Sequence, residues 1–533
     1  MRYMCAAVFS RACLPGISGG PLDKRKGELM FSRVFSAGIS GIDACLVCVE
    51  ADISGGLPQF HMVGLLSSEV KEAKERVIRA LSNSGIELPA RKITVNLSPA
   101  GIRKQGSGFD LPIAVSILTA MGIIREEAAA GRLFVGEMSL DGQINKVNGI
   151  LPIAMKAKEE GIHSLIVPKE NAFEGAVIDG IRIFGVSGLG ELIRGLNEGT
   201  LTETEHISLE QELAAAYEAG NLDFLDIKGQ EKAKRATEVA VAGFHNLLYI
   251  GPPGSGKSML SKRIPSILNR LDVEECLEIS KIYSVMGLLE KDTLVLGRPF
   301  RSPHHSITAT ALIGGNGNPR PGEITLAHKG VLFLDEAAEF KKDVIEMLRQ
   351  PLEDKQIVIS RLNRNVVFPA DFMLVMAMNP CPCGYFPDKR CSCTMSEVNR
   401  YHNRIRGPVL DRIDVCTGTS RLAPEELEQR DGTGSVQMRE RIDLARKIQE
   451  ERFAGYGIRF NSQMSRSQIE QYCPLEEGDR KLLDKAYARY HMTARGYYKV
   501  LKVARTIADL EGSQMIRREH ILEAIGYRNL HEI

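Results

Sequence analysis

The chain has 533 residues, with 68 lysines and arginines against 67 aspartates and glutamates, and 44% hydrophobic and 25% charged side chains. That length exceeds a single core of the usual ~100–200 residues and the composition excludes wholesale disorder, so several folded units are expected. The near-cancelling charge offers no whole-molecule attraction for a polyanion, so any basic surface has to be local, and the odd, scattered set of 11 cysteines excludes a disulfide scaffold and suits a reducing compartment.

Residues 1–29 read as a disordered extension or a mis-assigned start rather than a signal peptide, because Arg11 interrupts a short apolar stretch and no clean cleavage region follows. Over 30–196, strand-like runs such as Cys45–Glu50 and Ile93–Leu97 alternate with helical stretches such as Ser67–Ser82 and Leu111–Ala120, which predicts an α/β domain. The longest apolar stretch, Leu111–Ile124, contains Ser and Thr and falls short of the ~18 residues that span a bilayer, so no membrane is expected and the default location is cytoplasmic. Residues 197–220 lack a sustained apolar stripe and predict a linker. A second α/β unit is expected over 221–420, where short apolar strands at Leu247–Ile250, Val331–Leu334 and Phe372–Met378 separate helices and loops, the pattern of a buried parallel sheet. Residues 421–533 predict a small helical domain, with segments at Glu425–Arg430, Val436–Arg452, Leu475–Tyr490, Tyr498–Leu510 and Arg518–Ile525.

The segment Gly251-Pro252-Pro253-Gly254-Ser255-Gly256-Lys257-Ser258 fits the phosphate-loop pattern and stands between an apolar run and a helical stretch, as that loop requires. Glycines let backbone N–H groups wrap phosphates, the helix N-terminus favours anionic charge, Lys257 reaches the β- and γ-phosphates, and the Ser258 hydroxyl ligates Mg²⁺. ATP and Mg²⁺ are therefore expected. Downstream, the run Val331–Leu334 ends in Asp335 and Glu336, two acids at a buried strand tip where unpaired carboxylates are costly. Asp335 is read as orienting the Mg²⁺ shell and Glu336 as polarising the attacking water. A third strand ends in Asn379-Pro380, whose amide can position that water, although an Asn-Pro pair alone is more often only a turn.

Arg412, in Leu410-Asp411-Arg412-Ile413-Asp414, follows a basic helix, and Arg495 opens a helix in the C-terminal region. Together these motifs resemble the AAA+ ATPases. The phrases Pro303-His304-His305, Pro321–His328, Asn379–Gly384 and Leu410–Asp414 further resemble the ComM/YifB family of magnesium-chelatase-like ATPases, across nearly everything after Met30. That resemblance implies an α/β fold made of an N-terminal Lon-protease-like (ribosomal S5 domain 2-like) domain, a P-loop AAA+ core and a C-terminal helical lid. It implies Asn379 as sensor 1, Arg412 as an arginine finger reaching a neighbouring subunit's nucleotide with Arg406 as runner-up, Arg495 as sensor 2 on the lid, and a homo-hexameric ring.

In the Lon-like domain, Lys104–Gly108 lies where such proteases carry their nucleophile loop. Gly108 stands at the serine position and Leu151 at the partner lysine position, so no route to an acyl-enzyme exists, and Ser107 reads as a loop hydroxyl. The Gly- and Pro-rich stretch from Arg298–His305 through Gly314–Gly322 resembles the helix-2 insert of the clade containing MCM helicases and magnesium chelatase, which projects into the ring's pore. Within it, His304 and His305 read as loop polarity, with metal ligands or a nucleotide-sensing element as the alternatives, and no metal is assigned to them. Gln356–Phe368 predicts a β-hairpin, and Lys355, Arg361 and Arg364 are the DNA-contact candidates, because basic side chains on a pore loop grip phosphates without regard to sequence; a solvated hairpin face is the alternative. The pairs Cys381-x-Cys383 and Cys391-x-Cys393 suit a tetrahedral Zn²⁺ that pins a loop rather than catalyses.

The function implied by the resemblance is an ATP-dependent ring motor on single-stranded or branched DNA, a hexameric branch-migration helicase of homologous recombination and natural transformation. The alternative is a chelatase-type ATPase remodelling a protein partner. A protease-associated unfoldase is disfavoured by the missing dyad and by the lack of an aromatic pore loop.

Overall fold

In the computed structural model the described residues are 30–218, 222–290, 293–315, 319–361, 364–405, 409–422 and 432–528. The expected extension 1–29, the helix at Glu425–Arg430 and Arg406 lie outside them, as do the side chains of Arg361 and Arg364. The chain forms two compact units: residues up to Ser36 with Val47–Asn145 and Val186–Leu201, and Ala37–Leu46 with Lys146–Gly185 and everything from Thr202.

In the first unit, strands run in the order Gln59–Val63, Lys92–Ser98, Asp43–Ser54, Met30–Ser40, Arg132–Phe134. Lys92–Ser98 is antiparallel to Asp43–Ser54, with Cys48 opposite Ser98, and parallel to Gln59–Val63. Its alternation puts Ile93, Val95 and Leu97 on one buried face. Helix Ser68–Asn83 starts where the Ser67 side chain accepts from the Val70 N–H, and it buries Val70, Ala73, Val77, Ala80 and Leu81, a stripe at helical spacing. The long apolar stretch becomes helix Asp110–Ala120, buried almost all round as a core helix. The buried Asp110 carboxylate that opens it is held by Arg76 at 2.7 Å.

In the second unit a five-stranded sheet has the order Phe300–Arg301, Val331–Leu334, Met373–Met378, Leu247–Ile250, Val415–Gly418, with every pairing parallel. The three strands expected from their apolar runs are buried at every position, as a sheet covered on both faces demands. Each fully buried Val, Leu or Phe contributes about 1.5–3 kcal/mol. Phe300–Arg301, only two residues long, and Val415–Gly418, whose second half is Thr417-Gly418, complete the sheet without an apolar run to announce them. Because all five strands run the same way, their C-terminal tips share one edge, and the chemistry-bearing motifs follow those tips.

Two antiparallel hairpins leave this core: Gly314–Gly315 with Arg320–Pro321, and Gln356–Arg361 with Arg364–Pro369. The stretch read as a linker contains helix Leu209–Glu218, on which Leu209 and Leu213 are buried. The C-terminal region is helical at Ser435–Arg452, Arg466–Tyr472, Glu477–Arg489, Ala494–Leu510 and Arg518–Gly526. No helix among the described residues is long and apolar enough to cross a membrane.

A buried ion pair ties the helix Ala494–Leu510 to the sheet. The Lys499 ammonium lies 2.7 Å from Asp414, whose carboxylate also accepts from the Asn246 N–H at 3.2 Å and faces His245 at 3.5 Å. Burial alone would raise the Asp414 pKa, but the Lys499 ammonium, with the His245 ring beside it, overcomes that and holds it far below the usual carboxylate range. Lys499→Met therefore leaves a buried carboxylate uncompensated and is expected to cost about 3–5 kcal/mol in denaturant unfolding. In the native chain a depressed carboxylate pKa contributes stability that is complete above the unfolded value of about 3.9 and is lost as pH falls toward the folded value. The deficit of Lys499→Met is therefore expected to be largest near neutral pH and to shrink as pH falls below about 3.9, which a pH-dependent melt of both proteins measures.

Candidate nucleotide site

The buried strand Leu247–Ile250 leads directly into the phosphate loop. A Cβ on Gly251 would lie 2.1 Å from the Thr419 hydroxyl and 2.4 Å from its carbonyl, so only glycine lets the loop pass the neighbouring strand's end. Gly254 and Gly256 take φ of +76° and +86°, which turns the backbone into the N-terminus of helix Lys257–Arg263.

The Lys257 ammonium curls back over this loop, donating to the Gly251 carbonyl at 2.7 Å, the Pro252 carbonyl at 2.9 Å and the Asn379 side-chain oxygen at 3.2 Å. Burial lowers its pKa, and the nearby Asp335 and Glu336 charges oppose that shift. The Ser258 hydroxyl donates to Asp335 at 2.6 Å, and the other Asp335 oxygen accepts from the Glu336 N–H at 3.0 Å. Glu336 itself adopts φ +51°, a costly conformation for a residue with a Cβ, and its side chain is 59% exposed. The strand tip thus holds Asp335 inward on Ser258 and turns Glu336 outward into solvent.

In the sequence His305 looks like loop polarity, yet its ring lies 3.8 Å from the Glu336 carboxylate and 4.0 Å, centroid to centroid, from His304. The cause is topological. His305 follows the short strand Phe300–Arg301, which pairs in parallel with Val331–Leu334, the strand that leads into Asp335.

A second cluster forms on helix Arg349–Asp354. Arg412, only 6% exposed, pairs with Glu353, and Arg495 reaches the same carboxylate oxygen at 3.1 Å. Burial lowers the Arg412 pKa and Glu353 pulls it back up. The structure thus brings Lys257, Ser258, Asp335 and Asn379 together, and separately brings Arg412 and Arg495 together around Glu353, a residue the sequence did not single out.

Of the DNA-contact candidates, Lys355 caps that helix at φ +56°, and its ammonium is 3.2 Å from Asp371. On the adjoining hairpin Val358 stands opposite Val367, and the two are 40% and 50% exposed, so this hairpin presents apolar as well as polar surface.

The four sulfur atoms of Cys381, Cys383, Cys391 and Cys393 all lie within 4.8 Å of one another, with separations of 3.3, 3.6 and 3.7 Å among the first three. Those separations far exceed the ~2.05 Å of a disulfide. They approach the ~3.8 Å edge of a tetrahedron built on Zn–S bonds of ~2.3 Å. The Phe386 N–H donates to Cys381 at 3.3 Å, and the Tyr385 N–H leads the contacts that bring the Cys383 thiol down to about 6. The neighbouring thiols push Cys391 and Cys393 the other way, so it is the spacing and chemistry of the four sulfurs that fit a soft divalent cation.

In the first unit the Ser107 hydroxyl is bonded to Glu137, and the buried Lys104 amine is bonded to the Pro99 carbonyl.

A buried parallel sheet whose strand tips carry a phosphate loop, an Asp-Glu pair and an amide on the loop lysine, followed by a helical C-terminal region, defines an AAA+ ATPase. Family models described as "Magnesium chelatase, subunit ChlI", "Subunit ChlI of Mg-chelatase" and "Magnesium chelatase, subunit ChlI C-terminal" match residues 223–427, 49–171 and 432–528. The chain is 41% identical to competence protein ComM of Haemophilus influenzae over 500 residues, which cover 93% of this chain and 97% of that one. It is 39% identical to YifB of Escherichia coli over 507 residues, 94% and 97% of the two chains. The magnesium-chelatase 38 kDa subunit of Rhodobacter capsulatus is 22% identical over 318 residues, 56% of this chain and 84% of that subunit. The chain belongs to the ComM/YifB family of magnesium-chelatase-like AAA+ ATPases.

Proposed function

We propose that this ATPase is a homo-hexameric ring motor acting on DNA, a branch-migration helicase of homologous recombination and natural transformation. The observation that carries the reading is the relation to the competence protein, which runs through both units of this chain, whereas the chelatase subunit matches little more than half of it. The N-terminal unit is assigned a Lon-protease-like fold without its dyad, the Arg298–Gly322 stretch is assigned as a helix-2 insert, and the cysteine cluster is assigned a structural Zn²⁺.

The residues divide the work of hydrolysis. Loop N–H groups and Lys257 bind the phosphates, and Asn379 holds both Lys257 and the water in register. Ser258 and Asp335, an oxygen-donor pair 2.6 Å apart, would hold Mg²⁺, which supplies charge neutralisation at the phosphates. Glu336 accepts the proton of the attacking water as its oxygen bonds to the γ-phosphorus and the bond to the ADP oxygen breaks. Arg412 serves the phosphates bound by a neighbouring copy, and Arg495, as sensor 2, belongs to the lid over the nucleotide. Lys355, Arg361 and Arg364 serve the DNA backbone.

Turnover by the full-length chain, measured with and without a synthetic four-way junction, tests this reading. Stimulation of about fivefold or more, with binding that weakens steeply as salt rises, is the expected result. The exposed Val358–Val367 pair favours one rival, a chelatase-type ATPase that remodels a protein partner. Absence of junction binding at low salt would select that rival.

A further inference from the structure

The cysteine cluster is joined to the nucleotide site on three sides. Its first member, the fully buried Cys381, follows Asn379-Pro380 directly, and Asn379 is the residue that accepts from Lys257. Gly384, at φ +85°, packs its backbone on the phosphate loop so closely that a Cβ there would lie 2.6 Å from the Pro253 ring. Its last member, Cys393, precedes Thr394, which caps helix Met395–Asn403 in a reciprocal box with Glu397. From the far end of that helix His402 returns to the Pro380 carbonyl at 2.7 Å. The circuit from strand tip to cysteines to helix and back therefore closes on the turn that carries Asn379.

Within this circuit the Cys383–Cys393 stretch has no regular hydrogen-bonded structure of its own. Its side chains other than the cysteines bond mainly to near neighbours, as Arg390 does to Asp388, while the Arg390 and Arg421 guanidiniums both lie over the Tyr385 ring. Those exposed contacts are each worth little. What can hold Gly384 against Pro253 is the set of four sulfurs.

We infer that Zn²⁺ at Cys381, Cys383, Cys391 and Cys393 is a strap that fixes the Asn379-Pro380 turn against the phosphate loop, so that metal loading sets the rate of ATP hydrolysis. This rests on the zinc assignment above and extends it from pinning a surface loop to positioning sensor and loop. The cysteines act through Asn379 and Pro253 and touch no substrate, so they are positioning residues. The strap predicts a particular imbalance. The Leu247–Ile250 strand and the following helix build the phosphate cradle, so nucleotide binding survives loss of the metal, whereas the register of Asn379 and the packing of the loop's outer edge at Pro253 do not.

The test compares the full-length protein with Cys383→Ser/Cys391→Ser by elemental analysis, peptide-resolved hydrogen exchange, fluorescent-nucleotide binding and turnover. The native protein is expected to carry about one zinc per chain. The double variant should lose it and exchange faster both in the cysteine loop and in the phosphate-loop peptide 251–257. Turnover should fall about tenfold or more while nucleotide affinity changes less than about threefold. Cys391→His, whose imidazole also ligates Zn²⁺, should restore zinc, protection and rate together. If the double variant does not fold, zinc is stripped from the folded native protein with a mercurial and then returned, with the same readouts. Zinc-free folded protein from zinc-replete cells, or faster exchange confined to the cysteine loop with unchanged turnover, would overturn the strap. Exchange at 251–257 still decides the matter if the native chain proves not to hydrolyse ATP, an outcome that would instead count against the motor reading.

Discussion

Glu336→Gln is expected to lose turnover by about 10²–10⁴-fold while still binding ATP. Glutamine keeps the size of the side chain and its outward aim but cannot accept the water's proton. The groups that bind nucleotide are untouched: Lys257 stays on its three oxygen acceptors, and Ser258 stays on Asp335. Lys257→Ala is the contrasting change, because it removes the cation from the phosphate loop and should lose binding itself. Fluorescent-nucleotide titration alongside single-turnover hydrolysis separates the two. Normal hydrolysis by the glutamine variant would take Glu336 out of its role and direct attention to the His305 ring beside it.

What the sequence disclosed and what it withheld divide by the range of the interaction. The phosphate loop and the strands at Leu247, Val331 and Met373 are local patterns, since a parallel strand buried on both faces must be continuously apolar. The four cysteines and the Gln356–Pro369 hairpin are equally local. Glu353 was invisible because its partners lie 59 and 142 residues away, and nothing around it distinguishes it from a solvated helix acid. His305 looks like loop polarity in the sequence because its meeting with Glu336 depends on a strand of two residues, too short to leave a period. Leu209 and Leu213 form a single turn's apolar contact, which a search for a sustained stripe passes over. The close seat of Gly384 on Pro253 has no signal of its own, since glycine at that position is equally explained by its positive φ.

Arg412→Ala is expected to reduce turnover by about 10³–10⁵-fold, the scale of an arginine supplied to developing phosphate charge, without weakening nucleotide binding to the same chain. In the isolated chain this guanidinium is held on Glu353 beside Arg495, so two arginines sit on one carboxylate at a site distinct from the Lys257 cluster. Truncation leaves Glu353 with Arg495 at 3.1 Å and 42% exposed to water, so the fold tolerates the loss. Arg412→Lys should fare little better than alanine, because an ammonium cannot reproduce the planar fork that engages two oxygens at once. Glu353→Gln supplies the structural control. If Arg412 merely braces the helix, this variant should be as defective as Arg412→Ala, whereas a finger serving a neighbour leaves its turnover within about threefold of the native value. The decisive measurement mixes two inactive chains, Arg412→Ala, which keeps its phosphate loop, and Lys257→Ala, which keeps its arginine. Where the first meets the second, an intact loop faces an intact arginine, so the mixture should hydrolyse ATP well above the sum of the two. A mixture no more active than its parts would place Arg412 in its own subunit's site and remove the geometric reason for a ring.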